Sequence, residues 1–239
     1  MTRRRWIADE VSGDRAALVG EHADHLVRVL RARVGDDFDI ATSRDVRRGR
    51  ITLVKADRVE FDLGEILSAA RVTDITLVLA VYKFDRMEWA IEKCTELGVS
   101  RIVPLISHRT DSHLAVASGK RVERWQRLAR QAAEQSRRSS PPEIVEPTKL
   151  SEALNLSPGL RILLSEAEDH TLLREVLNQE THGSGIVLAI GPEGGWTEEE
   201  LQAFQQAGWI SASLGNTILR AETAAIAAMA IAASALNSL

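Results

Sequence analysis

The sequence predicts an α/β protein of two domains, a small N-terminal β-barrel and a larger domain with a mainly parallel sheet. Two observations support this fold class. The first 70 residues contain short alternating strands separated by turns, whereas apolar strands and helical segments follow one another in turn from about residue 74 onward. Because the composition changes near residues 68–74, we expect the domains to span 1–70 and 71–239.

In the N-terminal domain, a helical segment over 22–30 precedes two predicted strands, 38–41 and 50–54. Glycine-containing tripeptides at 35–37 and 48–50 are expected to form turns at the strand ends. A small barrel with one helix is the shape of many RNA-binding modules.

The second domain begins with a near-continuous apolar run over 74–81, as expected of a strand covered on both faces. A helix over 86–97 follows, and Gly98 stands where a glycine commonly ends a helix. The remaining predicted strands are 101–105, 162–164 and 185–190, and the remaining predicted helices are 120–136, 171–177, 197–207 and 222–236.

Charge is distributed unevenly along this chain of 239 residues, whose net charge is −4. Residues 71–140 hold 13 Lys/Arg and 8 Asp/Glu, whereas residues 141–239 hold 4 and 13. Arginine recurs at every third position from 121 to 130, which places these side chains along one helix face. The run is either a solvated face or a surface that contacts phosphates, and the second would make binding salt-dependent.

Several features indicate a soluble, cytoplasmic protein. The single cysteine, Cys94, excludes an internal disulfide and fits a reducing compartment, and the N-terminal segment lacks the apolar core of a secretory signal. The alanine-rich stretch 218–236 carries two charged residues, so a buried helix is expected there and no membrane partner. His22 and His25 lack a third ligand at suitable spacing, so no metal is predicted.

A glycine-rich turn, GPEGGW over 191–196, follows the strand 185–190 and precedes a helix with Thr197 and Glu200 in capping-box positions. Ligands bind at the carboxyl ends of parallel strands, and glycine lets the backbone approach them. Glu193 and the carboxylates at 198–200 would repel phosphate, and no Gly-Lys-Ser/Thr follows, which excludes a P-loop. The turn is either plain structure or a site for a cationic or neutral adenosyl ligand.

A second constellation, SLGNTILRAETA over 213–224, places Arg220 and Glu222 at the start of the last predicted helix. They are either a structural ion pair with a capping carboxylate or functional groups. In a functional role, Arg220 would position an anionic or polarised substrate group and Glu222 would act as an acid or base.

Together, GPEGGW and SLGNTILRAETAA resemble the SPOUT superfamily of trefoil-knotted methyltransferases and, more narrowly, the 16S ribosomal RNA uridine-N3 methyltransferase family (RsmE-type). The resemblance continues upstream in HLVRVLRARVGDDF, KFDRMEWAIEKCTELGVSRIVPL and RWQRLARQAAEQSRRSSPPEI. It covers most of the chain, with the motifs in matching order and spacing.

This resemblance implies a PUA-like N-terminal barrel, a knotted C-terminal domain, an obligate homodimer and methylation of 16S ribosomal RNA in the small ribosomal subunit. It implies S-adenosyl-L-methionine as the methyl donor, without a metal. Three loops would bind this donor, through Leu164, Ser165 and Glu166; Ile190, Gly191, Pro192, Glu193, Gly194 and Gly195; and Leu214, Gly215, Asn216, Ile218 and Leu219.

The resemblance also implies roles for charged residues. Arg220, from the third loop, would stabilise negative charge on a uridine carbonyl, and Glu222 would accept the N3 proton. RNA would be contacted by Arg3, Arg4, Arg5, Arg28, Arg31, Arg33, Arg124, Arg127 and Arg138. Phe84, Asn216-Thr217 and Ala221 depart from the family pattern. Two alternatives stay open, a knotted methyltransferase acting on transfer RNA and a catalytically silent ribosome assembly factor.

Overall fold

The computed structural model describes residues 5–42, 44–69, 74–156, 159–179 and 185–236. The chain divides into two compact units. The first comprises Met1–Arg71 with Ala133–Ser140, and the second comprises Val72–Ala132 with Pro141–Leu239. Arg3 and Arg4, predicted to contact RNA, lie outside the described residues.

The first unit is built on a six-stranded sheet in the order β1-β4-β5-β6-β3-β2. Strands β1 and β4 are parallel, and the other neighbouring pairs are antiparallel. A short helix and a π-helical turn, His25–Val29, occupy most of the predicted segment 22–30. The elements are β1 (Arg5–Ile7), β2 (Glu10–Ser12), β3 (Arg15–Val19), α1 (Glu21–Asp24), β4 (Asp37–Ala41), β5 (Asp45–Lys55) and β6 (Arg58–Ala69).

The predicted turn at 48–50 is wrong, because these residues lie inside β5, which pairs with both β4 and β6. Gly49 is required there for packing rather than for turning. A Cβ atom at this position would collide with the side chain of Ile40, which is fully buried on the neighbouring strand β4. The β5–β6 register shifts on either side of Arg47, an irregularity that glycine tolerates well.

The second unit is an α/β structure whose seven-stranded sheet has the order β10-β8-β7-β12-β11-β13, with β9 beside β8. All of these pairs are parallel. Its strands are β7 (Ile75–Ala80), β8 (Arg101–Ile106), β9 (Glu143–Ile144), β10 (Thr148–Lys149), β11 (Leu160–Leu164), β12 (Ile186–Ile190) and β13 (Ile210–Ala212). Its helices are α2 (Phe84–Glu96), α3 (Ser112–Ser118), α4 (Val122–Gln135), α5 (Leu150–Ala153), α6 (Leu173–Gln179), α7 (Glu198–Gln206) and α8 (Ala221–Ala235).

Both faces of this sheet are covered, as the apolar run at 74–81 predicted. Ile75, Leu77 and Leu79 of β7 pack into a core with residues of α2, α4, α6 and α8. The alternate residues Val78 and Ala80 pack on the opposite face with Trp196, Phe204 and Trp209. Side chains on a strand alternate between faces, so one strand contributes to two cores.

The predicted helix ends are also confirmed where local chemistry determines them. Gly98 follows α2 at φ 100°, in the left-handed region that favours glycine. Thr197 caps α7: its hydroxyl accepts a hydrogen bond from the Glu200 backbone N–H, and the Glu200 carboxylate accepts one from the Thr197 backbone N–H. Among the described helices, none is long and apolar enough to cross a membrane.

Candidate functional site

Three loops at the carboxyl end of the parallel sheet enclose a cavity of about 340 Å³ in the second unit. The loops follow the neighbouring strands β11, β12 and β13, and the start of α8 completes the wall. A crevice at this edge of a parallel sheet is where α/β proteins bind ligands. The volume lies within the range of small-molecule sites, about 300–1,000 Å³.

The structure places most of the predicted donor-binding residues around this one cavity. Twelve of the fourteen line it directly, with Arg220 beside them. Gly194 and Asn216 belong to the same loops but are not part of the lining, and neither is Glu222. The twelve are Leu164, Ser165, Glu166, Ile190, Gly191, Pro192, Glu193, Gly195, Leu214, Gly215, Ile218 and Leu219.

These twelve residues come from all three loops. The resemblance to the methyltransferase family pointed to these loops, and the structure brings them around one cavity. Their role in binding the methyl donor stays a prediction.

The glycine turn is shaped by a buried tryptophan beneath it. The Trp196 indole N–H donates a hydrogen bond to the Leu164 carbonyl, with 3.0 Å between nitrogen and oxygen, and so ties the second loop to the first. A Cβ atom at Gly191 would lie 3.2 Å from the Trp196 ring, tighter than ordinary packing allows. Trp196 therefore serves both the core and the cavity wall.

A buried carboxylate fixes the segment that lies against the glycine turn. Glu200 is 4% exposed, and it accepts hydrogen bonds from the backbone N–H groups of His108 (2.8 Å) and Thr197 (2.9 Å). The neighbouring Arg109 guanidinium donates to the Gly194 carbonyl oxygen. These contacts hold the loop after β8 against the second cavity loop.

Arg220 lines the cavity with an exposed side chain, immediately before α8 begins. Its guanidinium makes no hydrogen bond or ion pair with any residue that the structure describes. Ile218, in the same loop, is 82% exposed although it also lines the cavity. The third loop thus presents a free cation and an apolar side chain to a ligand.

Glu222 occupies a different environment, although it stands only two residues away. The residue is 4% exposed, its Oε1 lies 3.8 Å from Nε of Arg86, and its Oε2 is buried without a hydrogen-bond partner. An ion pair between Arg220 and Glu222, one of the two alternatives that the sequence left open, is absent from the ion pairs of the described residues. Instead, Glu222 pairs with Arg86, a cavity-lining residue that sequence reasoning missed.

The residues predicted to contact RNA differ in how free their charges are. Arg31 and Arg33 are exposed and make no side-chain ion pair among the described residues, and Arg127 is also exposed. Arg28 pairs with Asp24, and Arg124 donates two hydrogen bonds to Glu88, which raise the pKa of Arg124.

Two further arginines of this set are less accessible. The Arg5 guanidinium donates to the Arg137 carbonyl oxygen. Arg138 is half-buried, and desolvation lowers its pKa to about 10. A role for either in RNA binding stays a prediction.

The second unit is an α/β domain with a three-loop cavity, and comparison with known proteins gives its class, the RNA methyltransferases. The family model for the RNA methyltransferase domain matches residues 69–233. The chain is 34% identical over 218 residues to the ribosomal RNA small subunit methyltransferase E of Synechocystis sp., covering 86% of this chain and 68% of the relative. It is 30% identical over 224 residues to the protein of the same name from Bacillus subtilis, covering 89% and 87%.

A solved structure agrees with these relatives. The ribosomal RNA small subunit methyltransferase E of Neisseria gonorrhoeae, bound to S-adenosyl methionine, aligns with a TM-score of 0.80 and 31% identity over 98% of each chain. The chain therefore belongs to the ribosomal RNA small subunit methyltransferase E family.

Proposed function

We propose that this protein transfers a methyl group from S-adenosyl-L-methionine to N3 of a specific uridine in 16S ribosomal RNA of the small ribosomal subunit. The observation that carries the proposal is the cavity formed by three loops, with the free guanidinium of Arg220 in its wall. The names of the relatives supply the RNA, and the family resemblance supplies the uridine N3 position.

The residues around the cavity fit this methyl donor. Leu164, Ile190 and Leu214 offer apolar walls for an adenosyl group, and the backbone of the glycine turn offers polar groups at close approach. Glu193 and Glu166 place carboxylates in the wall, which suit a sulfonium cation better than a phosphate. When bound, S-adenosyl-L-methionine supplies a methyl group already activated by the positive charge on sulfur.

The acceptor must be brought to the donor unpaired, because N3 of uridine lies on the Watson–Crick edge. In the reaction, N3 loses its proton, its electron pair forms the bond to the methyl carbon, and the pair of the broken carbon–sulfur bond stays on sulfur. Arg220 stabilises the negative charge that develops on a uridine carbonyl oxygen. Positioning of the two reactants contributes the larger part of the acceleration.

We assign Glu222 as the group that accepts the N3 proton. Its Oε2 accepts no hydrogen bond from any residue that the structure describes. Since the side chain is buried and outside the cavity lining, this transfer requires a bridging water. Glu222→Gln keeps the shape and removes the basicity. The assignment predicts a large loss of turnover with unchanged donor affinity, and retained turnover would contradict it.

The finer architecture belongs to the same proposal. We propose that the second unit is trefoil-knotted, that the first is a PUA-like barrel that binds RNA, and that the protein is a cytoplasmic homodimer. The six-stranded, largely antiparallel sheet supports the barrel. The exposed side chains of Trp89 and Val116 on the second unit support apolar contact between copies. Light scattering coupled to size-exclusion chromatography tests the dimer by its mass.

The experiment that tests the function is transfer of a labelled methyl group to three RNAs: unmodified small subunits, naked 16S RNA and transfer RNA. We expect label in the small-subunit sample, and the comparison with naked RNA shows whether folded RNA shape is recognised. Label found only in transfer RNA would mean that transfer RNA, and not 16S ribosomal RNA, is the substrate. Donor binding without transfer to any RNA would favour a catalytically silent assembly factor.

A further inference from the structure

Arg86 is the second basic residue in the cavity wall, besides Arg220, among the described residues. It lies in the first turn of α2, shortly after strand β7 ends at Ala80. The fold therefore brings it to the carboxyl edge of the sheet, where the three ligand loops also lie.

Two carboxylates orient the Arg86 side chain without using its hydrogen-bond donors. Nη1 lies 3.8 Å from Oε1 of Glu193 in the glycine turn, and Nε lies 3.8 Å from Oε1 of Glu222. These separations exceed the hydrogen-bond range of about 2.7–3.2 Å. Within the described chain the guanidinium donates no hydrogen bond, so its N–H groups remain available to a ligand.

No further carboxylate among the residues that the structure describes forms an ion pair with Arg86. Tyr82 lies nearby with a buried hydroxyl that has no hydrogen-bond partner. Burial, reinforced by Cys94, Glu222 and Glu193, raises the pKa of Tyr82 well above its ordinary value. The phenol is therefore neutral, and among the described residues the charge of Arg86 is paired with the carboxylates of Glu193 and Glu222 alone.

The chemistry of uridine, the methyl acceptor, favours two guanidinium groups as hydrogen-bond donors. Two carbonyl oxygens, O2 and O4, flank N3 of uracil, and both acquire negative charge when the N3 proton leaves. The cavity wall likewise contains two guanidinium groups, those of Arg86 and Arg220. Arginine presents its N–H donors in a rigid plane that suits oxygens of this kind.

We propose that Arg86 is a catalytic residue that donates hydrogen bonds to one uracil carbonyl oxygen, while Arg220 serves the other. The inference rests on the proposed function. Glu193 and Glu222 act as positioning residues for the guanidinium, which is therefore oriented before the base arrives. This preorganisation is what makes a donor effective as charge develops.

The test compares Arg86→Ala and Arg86→Lys with the wild type on unmodified small subunits, at saturating donor and over a range of pH. Calorimetry measures S-adenosyl-L-methionine affinity separately. Arg101→Ala is the matched control, because Arg101 pairs with Glu143 at 3.2 Å and is not part of the cavity wall.

We expect Arg86→Ala to lose about 10²- to 10³-fold in kcat while its donor affinity stays close to that of the wild type. Raising the pH should restore part of the rate, since the lost cation no longer assists N3 deprotonation. Arg86→Lys keeps a charge between the two carboxylates but lacks the planar fork, so it should fold and remain slow. Arg101→Ala should behave as the wild type.

Arg86→Lys with wild-type turnover and pH profile would overturn the inference. Equal losses in turnover and donor affinity would overturn it as well, because the guanidinium would then serve the donor's carboxylate. If Arg86→Ala fails to fold, Arg86→Lys decides. A wild type that forms no 3-methyluridine would instead refute the proposed function itself.

Discussion

Arg220 shows how a single residue can be recognised from sequence and still need the structure for its role. Its place before an alanine-rich helix left a structural ion pair with Glu222 open. In the structure its exposed guanidinium lines the cavity, while Glu222 is buried beside Arg86. An unpaired arginine in a cavity wall is available for a substrate in a way that an ion-paired one is not.

Replacing Arg220 with alanine should lower kcat by about 10²- to 10³-fold, because one hydrogen-bond donor to the charge that develops on a uracil carbonyl oxygen is lost. The affinity for S-adenosyl-L-methionine should change little, since Arg220 acts on the uridine and not on the methyl donor. Single-turnover kinetics and calorimetric titration measure the two effects. Arg174→Ala, at an exposed arginine of α6 that is not part of the cavity wall, is the control. Equal losses in turnover and donor affinity would refute the assignment.

Gly195 tests whether the glycine turn serves the ligand or only the fold. Its φ is 71°, and a Cβ atom would lie 2.9 Å from Oε1 of Glu166 across the cavity rim. Gly195→Ala should therefore destabilise the protein by about 1–3 kcal/mol and also weaken donor binding.

The matched variant is Gly208→Ala, with a similar φ of 78° and a contact only to Arg161. It should cost comparable stability in denaturant titrations and leave donor affinity intact. If both variants weaken donor binding equally, the turn has no special part in the site.

At this scale, the family resemblance pointed to the loop residues, whereas no feature of the sequence pointed to Arg86. The glycine turn could be located locally because it directly follows a predicted strand, but the donor-binding residues of the three loops were assigned by the resemblance. Arg86 reaches the cavity because α2 and α8 pack together, which brings it to Glu222 from a distant part of the chain. Such long-range pairs depend on tertiary packing and carry no local signal.

At the scale of elements, the capping box of α7 links helix stability to the site. The Thr197 hydroxyl accepts a hydrogen bond from the Glu200 N–H. The Glu200 carboxylate in turn accepts hydrogen bonds from the backbone N–H groups of Thr197 and His108. Loss of the Thr197 hydroxyl leaves a backbone donor of the first turn without its partner.

Thr197→Ala should lower the free energy of unfolding by about 0.5–2 kcal/mol, as measured by urea titration. Thr197→Ser retains the hydroxyl and should be close to the wild type. A stability loss shared by both variants would show that the methyl group, not the cap, matters.

The elements also show where local pattern misleads. The helices α2, α4 and α8 were predicted within two residues at each end, and for α2 apolar spacing and the following glycine agreed. In β5, Gly49 was interpreted as a turn residue, yet it lies mid-strand to accommodate Ile40. Only the neighbouring strand explains that glycine, so the sequence could not distinguish the two uses.

At the scale of the whole molecule, an acidic chain is proposed to bind an anionic polymer through local groups of arginines. Arg31 and Arg33 are exposed and unpaired among the described residues. Phosphate contacts by such residues position RNA without specifying its sequence.

Arg31→Ala/Arg33→Ala should reduce the slope of log binding constant against log salt by about 1.4–1.8, since two phosphate contacts are lost. Filter binding at several salt concentrations measures this slope. Arg50→Ala/Arg58→Ala removes the same charge from side chains already paired with Asp37, Glu10 and Glu60, and should leave the slope almost unchanged. Equal effects of both pairs would indicate that net charge alone is responsible.

The most direct test of the central claim is the chemical identity of the modified nucleoside. Small subunits lacking the modification are incubated with the protein and donor, and their 16S RNA is digested and examined by mass spectrometry with authentic 3-methyluridine as a standard. The account predicts 3-methyluridine with the wild type and nearly none with Arg220→Ala. A methyl group on any other nucleoside, or 3-methyluridine formed equally by Arg220→Ala, would contradict it.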